Sequence, residues 1–247
     1  MKKITTILVL FVFMFFINSC ATTKSTNSTQ GNTNINSNSG TEIVLDYSKL
    51  FILELVDERD GSQSYTISGY IGRSRIVEVP EKIEGIPVTK IGKYAFCTAK
   101  FKGGTTGNAI TDISYIKLPD SIIEIGYGAF AYCKDLLSIT LPSNLLVIDD
   151  LGFQSCDLLK AITLPDTVEK IGAFSFAFCD ELSTVRLSRN IAIIGNYAFS
   201  NSKKLTNVII PETLLEEIRF GTKVFNDCDN LNISSKNELS RRGYKFD

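Results

Sequence analysis

The chain contains no histidine and no tryptophan among its 247 residues. Without an imidazole there is no Ser–His or Cys–His dyad, no histidine proton shuttle and no histidine-ligated zinc. Most common hydrolytic mechanisms are weakened on that ground alone. A charge excess is missing too: 26 Lys and Arg against 27 Asp and Glu leave a net charge of −1. No basic face is therefore expected for nucleic-acid phosphates. None of the 6 cysteines forms a C-x-x-C pair, so the usual zinc spacing is absent, and neither metal nor cofactor is expected.

The longest apolar run, residues 4–17, has 14 residues. That is short of the roughly 20 needed to span a bilayer and suits a signal peptide. Lys2 and Lys3 supply its positive start, and it ends in Ile17-Asn18-Ser19-Cys20 rather than an A-x-A site. This ending resembles the bacterial lipobox, which implies that residues 1–19 are removed and Cys20 becomes an acylated N-terminus. The partner at this end is then a membrane, held by several acyl chains because one alone is marginal. Within residues 20–43, the stretch 21–40 is nearly all Thr, Ser, Asn and Gly. Such a stretch cannot bury enough apolar surface to offset its chain entropy, and it is expected to be a disordered tether with a span on the order of 25 Å.

The folded part is expected over residues 44–247, and a 23-residue period runs through it. "LPDSIIEIGYGAFAYCKDLLSIT" begins at Leu118, and sister units begin at Leu141, Leu164 and Leu187. A fifth starts at Ile210 with three extra residues before Phe225, and a looser one starts at Val79. Ile125, Ile148, Ile171 and Ile194 form one column; Phe130, Phe153, Phe176 and Phe199 form another; Leu136, Leu159, Leu182 and Leu205 form a third. One unit cannot bury so many apolar residues alone, but stacked units bury them against one another as a solenoid. The alternation in segments such as "LLSITL", residues 136–141, predicts a half-buried strand. The proline after it (Pro119, Pro142, Pro165, Pro211) cannot donate to a ladder and is expected to end it. Gly126, Gly172 and Gly195, with Asp149 in the same place, suggest left-handed backbone, and the A-F-x-x-C segment suggests a short helical turn.

The frame "LPxxIxxIGxxAFxxCxxLxxIx" from Val79 to about Leu231 resembles the BspA-like class of bacterial leucine-rich repeats. Residues 64–80, "SYTISGYIGRSRIVEVP", are similar to the lead-in of that class. The resemblance implies a right-handed solenoid with a parallel sheet on its concave face and short strands or helical turns on the convex side. Its divisions would be a lead-in over 44–78, repeats over 79–234 and a polar cap over 235–247. It further implies a non-catalytic protein of the cell envelope, lipid-anchored at the outer membrane or cell surface. Its partner would be a protein, such as a host or matrix component; the alternative is a scaffolding lipoprotein with no host ligand.

Two glycine motifs invite a nucleotide reading. "GYGAFA", residues 126–131, fits a dinucleotide fingerprint, but sister units read "DDLGFQ", "GAFSFA" and "GNYAFS", so its second glycine looks accidental. "GGTTGN", residues 103–108, lacks the G-K-[ST] ending and reads as part of a 97–112 insertion, either a flexible loop or a projecting contact. Cys133, Cys156 and Cys179 stand 23 residues apart, and Ser202 takes the place in the next unit. A pairing or ligand scheme would break there, so a buried structural thiol is expected. Cys97 lies off this column and Cys228 rejoins it once the three extra residues are removed; these two are the candidates for exposure. The candidate binding face comprises the outward strand positions Tyr115, Lys117, Ser138, Thr140, Thr163, Thr184, Arg186 and Asn207, with Ala161 and Ile209 beside them. Only Tyr115 and Arg186 have the character of interface anchors.

Overall fold

The computed structural model describes residues 46–97, 112–215 and 217–246. The signal peptide, Cys20, the tether and all but the two ends of the 97–112 insertion lie outside the described residues. Tyr47–Asp247 is one compact unit. In chain order its strands are β1 (Phe51–Asp57), β2 (Gln63–Tyr70), β3 (Ile76–Glu78), β4 (Lys82–Ile83) and β5 (Ile86–Ile91). They continue with β6 (Tyr115–Lys117), β7 (Glu124–Ile125), β8 (Ser138–Thr140), β9 (Val147–Ile148) and β10 (Ala161–Thr163). The last are β11 (Lys170–Ile171), β12 (Thr184–Arg186), β13 (Ile193–Ile194), β14 (Asn207–Ile209) and β15 (Arg219–Phe220). A single α-helix among the described residues, α1 (Ile233–Arg241), follows.

The result is a parallel-sheet solenoid of about six turns with little helix. The L-x-x-[IV]-x-[LI] segments give β6, β8, β10, β12 and β14, each of which ends two residues before the proline position; β12 ends in the same place before Ser188, so the proline is compatible with the end but does not set it. They form two three-stranded sheets, β3-β6-β8 and β10-β12-β14, rather than one continuous sheet. A second parallel sheet, not expected from the sequence, runs β1-β2-β5-β7-β9-β11-β13-β15, with β4 joined to β5. It is built on the isoleucine column: Ile91, Ile125, Ile148, Ile171 and Ile194 are all fully buried and in register. The lead-in joins it because β2 pairs parallel with β5, and β1 folds back antiparallel on β2.

The core is a set of columns, and the phenylalanine column is the most regular. Phe96, Phe130, Phe153, Phe176, Phe199 and Phe225 stack with successive centroids 5.0 to 5.4 Å apart and planes within 19°. Coils separated by about 4.8 Å leave each ring one offset-stacked neighbour on either side. A tyrosine closes each end. Tyr70 stacks on Phe96 at 5.5 Å and its hydroxyl accepts from the Ser74 N–H. Tyr244 meets Phe225 edge-on at 5.2 Å, and its hydroxyl accepts from the Phe225 N–H.

Two local expectations are corrected. Gly126, Gly172 and Gly195 do not have left-handed backbone, nor does Asp149; that conformation lies two residues later. Tyr94, Gly128, Leu151, Phe174, Tyr197 and Lys223 have φ of 53 to 60°, and so do Tyr132, Ser155, Phe178, Asn201 and Asp227 at 55 to 61°. Glycine is favoured at the earlier column by close approach instead. A Cβ on Gly195 would stand 2.5 Å from the Ala173 nitrogen and 2.6 Å from the Gly172 carbonyl carbon of the preceding coil. Gly128 is also no accident: it falls on the left-handed column, where glycine alone is unstrained.

The A-F-x-x-C segment is not a helical turn. The N–H groups of Ala129, Ala131 and Cys133 bond back to the carbonyls three residues before. Those of Gly128, Phe130 and Tyr132 instead donate forward to Asp150, Gly152 and Gln154 of the next coil, at 2.7 to 2.9 Å. Left-handed residues at 128 and 132 interrupt the helix, and half the donors are spent on stacking. At the C-terminal end, α1 takes Asn232 as N-cap, accepting from the Ser235 N–H at 2.8 Å. The buried Ser235 hydroxyl accepts from the Val208 N–H at 2.9 Å and donates to its carbonyl, which closes the free edge of β14.

Candidate interaction face

The cysteines were the residues on which chemistry would rest, and the coil geometry assigns them a packing role. Each thiol donates to the phenylalanine carbonyl of the preceding coil: Cys133 to Phe96 at 3.1 Å, Cys156 to Phe130 and Cys179 to Phe153 at 3.3 Å, and Cys228 to Phe199 at 3.0 Å. Ser202 donates to Phe176 in the same way at 2.8 Å, so the serine unit continues the column. Cys97 and Cys228, the candidates for exposure, are buried with the rest, because the end coils are covered by the lead-in and by the C-terminal segment. Among the described residues no group of His, Cys, Asp and Glu is placed to hold a metal ion.

Burial pushes the Cys133 and Cys156 thiols far above their ordinary range and those of Cys179 and Cys228 up to about 12. The unfolded chain loses these protons from about pH 8.5. The contribution to stability is therefore complete below that pH and is lost as pH rises toward 12, by about 1.4 kcal/mol per pH unit for each thiol. Cys156→Ser is expected to cost about 1 kcal/mol or less in urea unfolding at pH 7, because serine keeps the donor. It should also lessen the loss of stability above about pH 8.5, because a serine hydroxyl does not titrate there. Alkylation of these thiols in the native protein at neutral pH would contradict the packing role.

The candidate face is set by alternation in the short strands. Ile116, Ile162, Val185 and Val208 point into the core, and the residues on either side of each stand outward in two columns. One column contains Tyr115, Ser138, Ala161, Thr184 and Asn207; the other contains Lys117, Thr140, Thr163, Arg186 and Ile209. Lys117, Ser138, Thr140 and Thr163 are exposed, while Tyr115, Thr184, Arg186 and Asn207 are half-buried. The ladder brings Tyr115 to Ser138, and Thr184 to Asn207, but β8 and β10 are not paired, so the face is two adjoining halves.

Several members bind one another. The hydroxyls of Tyr115 and Thr140 are hydrogen-bonded at 3.0 Å, which fixes the ring across the first half. Arg186 pairs with Asp166 at 3.2 Å, and Arg189 shares that carboxylate. Lys117 pairs with Glu78 at 2.5 Å, and that bond raises the lysine pKa. Glu78 and Ile76 belong to β3, which extends the face by one coil in register with Lys117 and Tyr115. Sequence reading missed them because the insertion stretches the repeat from 23 residues to 39 between Ile76 and Tyr115. Asp166 carried a signal: it holds the place of Asp120 after the proline, and both carboxylates accept from the N–H of the next coil.

Comparison with known proteins agrees with this architecture. A leucine-rich repeat protein of Treponema pallidum, TpLRR, superposes with a TM-score of 0.59 at 27% identity, over 80% of this chain and 95% of that one. A leucine-rich cell surface protein of Faecalibacterium prausnitzii superposes with a TM-score of 0.58 at 25% identity, over 73% of this chain and 52% of that one. No curated protein matches the chain. The BspA type leucine-rich repeat region matches in 6 copies over residues 89–232, more than half of the chain. Proteins with this repeat are typically found at the cell surface and are generally non-catalytic, and leucine-rich repeat domains generally mediate protein–protein interaction. With its columns in register over the same residues, the chain belongs to the BspA-type leucine-rich repeat family.

Proposed function

We propose that the chain is a non-catalytic lipoprotein of the cell envelope that presents the β6–β14 face to a protein ligand, with adhesion to a host or matrix protein as its role. Acylation at Cys20 would hold it to the membrane, and residues 20–43 would carry the solenoid clear of the lipid. The observation that carries this reading is the pair of outward columns, which follow one residue position over five coils and are held by middle residues buried in four coils and partly buried at Ile139 in the other. A rigid strand-borne face loses little entropy on binding, which favours recognition by modest side chains. Tyr115 and Arg186 are its anchors, with Lys117, Ser138, Thr140, Thr163, Thr184 and Asn207 as the surrounding contacts.

A second reading, a scaffolding lipoprotein without a host ligand, draws support from the same face. Both cationic members are already paired, Lys117 with Glu78 and Arg186 with Asp166, so a ligand must compete for them. Protease shaving of intact cells separates the two. A surface adhesin is cut from intact cells, whereas a scaffold on the inner side of the envelope survives shaving and is cut only after lysis.

A further inference from the structure

The two ends of the solenoid are closed differently. At the C-terminal end Ser235 and α1 cover β14. At the N-terminal end β1 is a seven-residue edge strand, "FILELVD", that among the described residues pairs on one side only, with β2. The Glu58 N–H donates to the Ser62 carbonyl and the Ile71 N–H to the Leu50 carbonyl. Alternation between those two bonds turns the even residues 50 to 58 toward β2 and leaves the backbone groups of Phe51, Leu53, Leu55 and Asp57 on the open edge. Long apolar edges of this kind are rare unless something pairs with them.

Leu55 makes the same point from the side chains. It shares the core-facing side of β1 with buried Phe51 and partly buried Leu53, yet it is 48% exposed. An added strand would cover it.

We propose that this edge pairs with the same edge of a second copy, antiparallel, about a two-fold axis through Leu53. That register sets Phe51 against Leu55 and Ile52 against Glu54 in both directions, so apolar residues meet and no like charges face one another. Moving the axis one residue toward the C-terminus would oppose Glu54 to its own copy. A two-fold contact is self-complementary and closes at two copies. The strands of the binding face belong to the other sheets, so both copies keep that face. The inference thus extends the proposed function with a bivalent display, whose gain is in avidity.

The test uses the full chain purified in mild detergent. Light scattering, corrected for bound detergent, is expected to give twice the single-chain mass measured for the same preparation under denaturing conditions. Under mild oxidation Leu53→Cys should form a disulfide-linked dimer, since residues opposed at a hydrogen-bonded pair sit about 5.5 Å apart. Asp57→Cys should not, because the two copies of residue 57 would be about 26 Å apart. Leu53→Pro removes an outward N–H that β2 does not use, so it should weaken association at least tenfold while the melting curve stays cooperative. A single-chain mass at all concentrations, with no cross-link in the Leu53→Cys variant, would overturn the proposal. It would indicate an edge occupied by the chain's own N-terminal residues or by a foreign polypeptide. Preferential linking of the Asp57→Cys variant would overturn it as well. If Leu53→Pro fails to fold, the two cysteine variants still decide.

Discussion

Cys20→Ser is expected to move the protein from the membrane fraction of cells to the soluble fraction, with the signal peptide cut elsewhere. The expectation rests on two observations. The apolar run over residues 4–17 is too short for a comfortable span, and among the described residues no helix is long and apolar enough to cross a membrane. In the proposed reading, acyl chains on Cys20 supply the attachment, at about 0.8 kcal/mol for each buried methylene. Serine cannot form the thioether, and the loss should be nearly complete in fractionation blots. Metabolic labelling with a fatty acid gives the matching readout: label in the wild type and none in Cys20→Ser. Retention of the variant in the membrane fraction would point to an uncleaved N-terminal anchor.

Phe176→Ala should be the most damaging single change in the solenoid core. Phe176 is fully buried and stacks on Phe153 at 5.1 Å and on Phe199 at 5.4 Å, with both ring planes within 7°. Truncation to alanine removes the transfer energy and leaves a cavity that backbone-bonded coils cannot close, for a cost of about 3 to 5 kcal/mol. In a chain of this size that corresponds to a fall in melting temperature of about 10 °C. Because each coil contacts only its neighbours, the lesion also uncouples the two halves of the ladder, and the urea transition should broaden or split. Phe178 is the control. It lies two residues away, is 41% exposed and sits in left-handed backbone, so Phe178→Ala should cost about 1 kcal/mol or less. Equal losses for the two variants would contradict the columnar core.

The columns were legible because the core residue types repeat with the coil. Ile, Phe, Cys and Leu recur at fixed places, and Ser202 in the cysteine column already indicated packing over chemistry. The second sheet was not legible: its strands β7, β9, β11 and β13 are two residues long, too short for any alternation to show. The left-handed positions were hidden by variety, since Tyr94, Leu151, Phe174, Tyr197 and Lys223 share a conformation but no residue type that marks positive φ. Glycine was misread for a physical reason. A glycine required by the closeness of a neighbouring coil looks the same in sequence as one required by positive φ. On the face, alternation could not show that Arg186 is held by Asp166, a contact across 20 residues of chain.

The central claim, that the β6–β14 face binds a protein, is tested most directly by affinity capture from a mixture of extracellular proteins. The baits are the wild-type chain, the double variant Tyr115→Ala with Arg186→Ala, and Lys170→Ala on the other sheet. A defined protein is expected to be retained by wild type and by Lys170→Ala, and at least tenfold less of it by the double variant, a loss of about 1.4 kcal/mol or more. Equal capture by all three baits, or capture of nothing by the wild type, would contradict it.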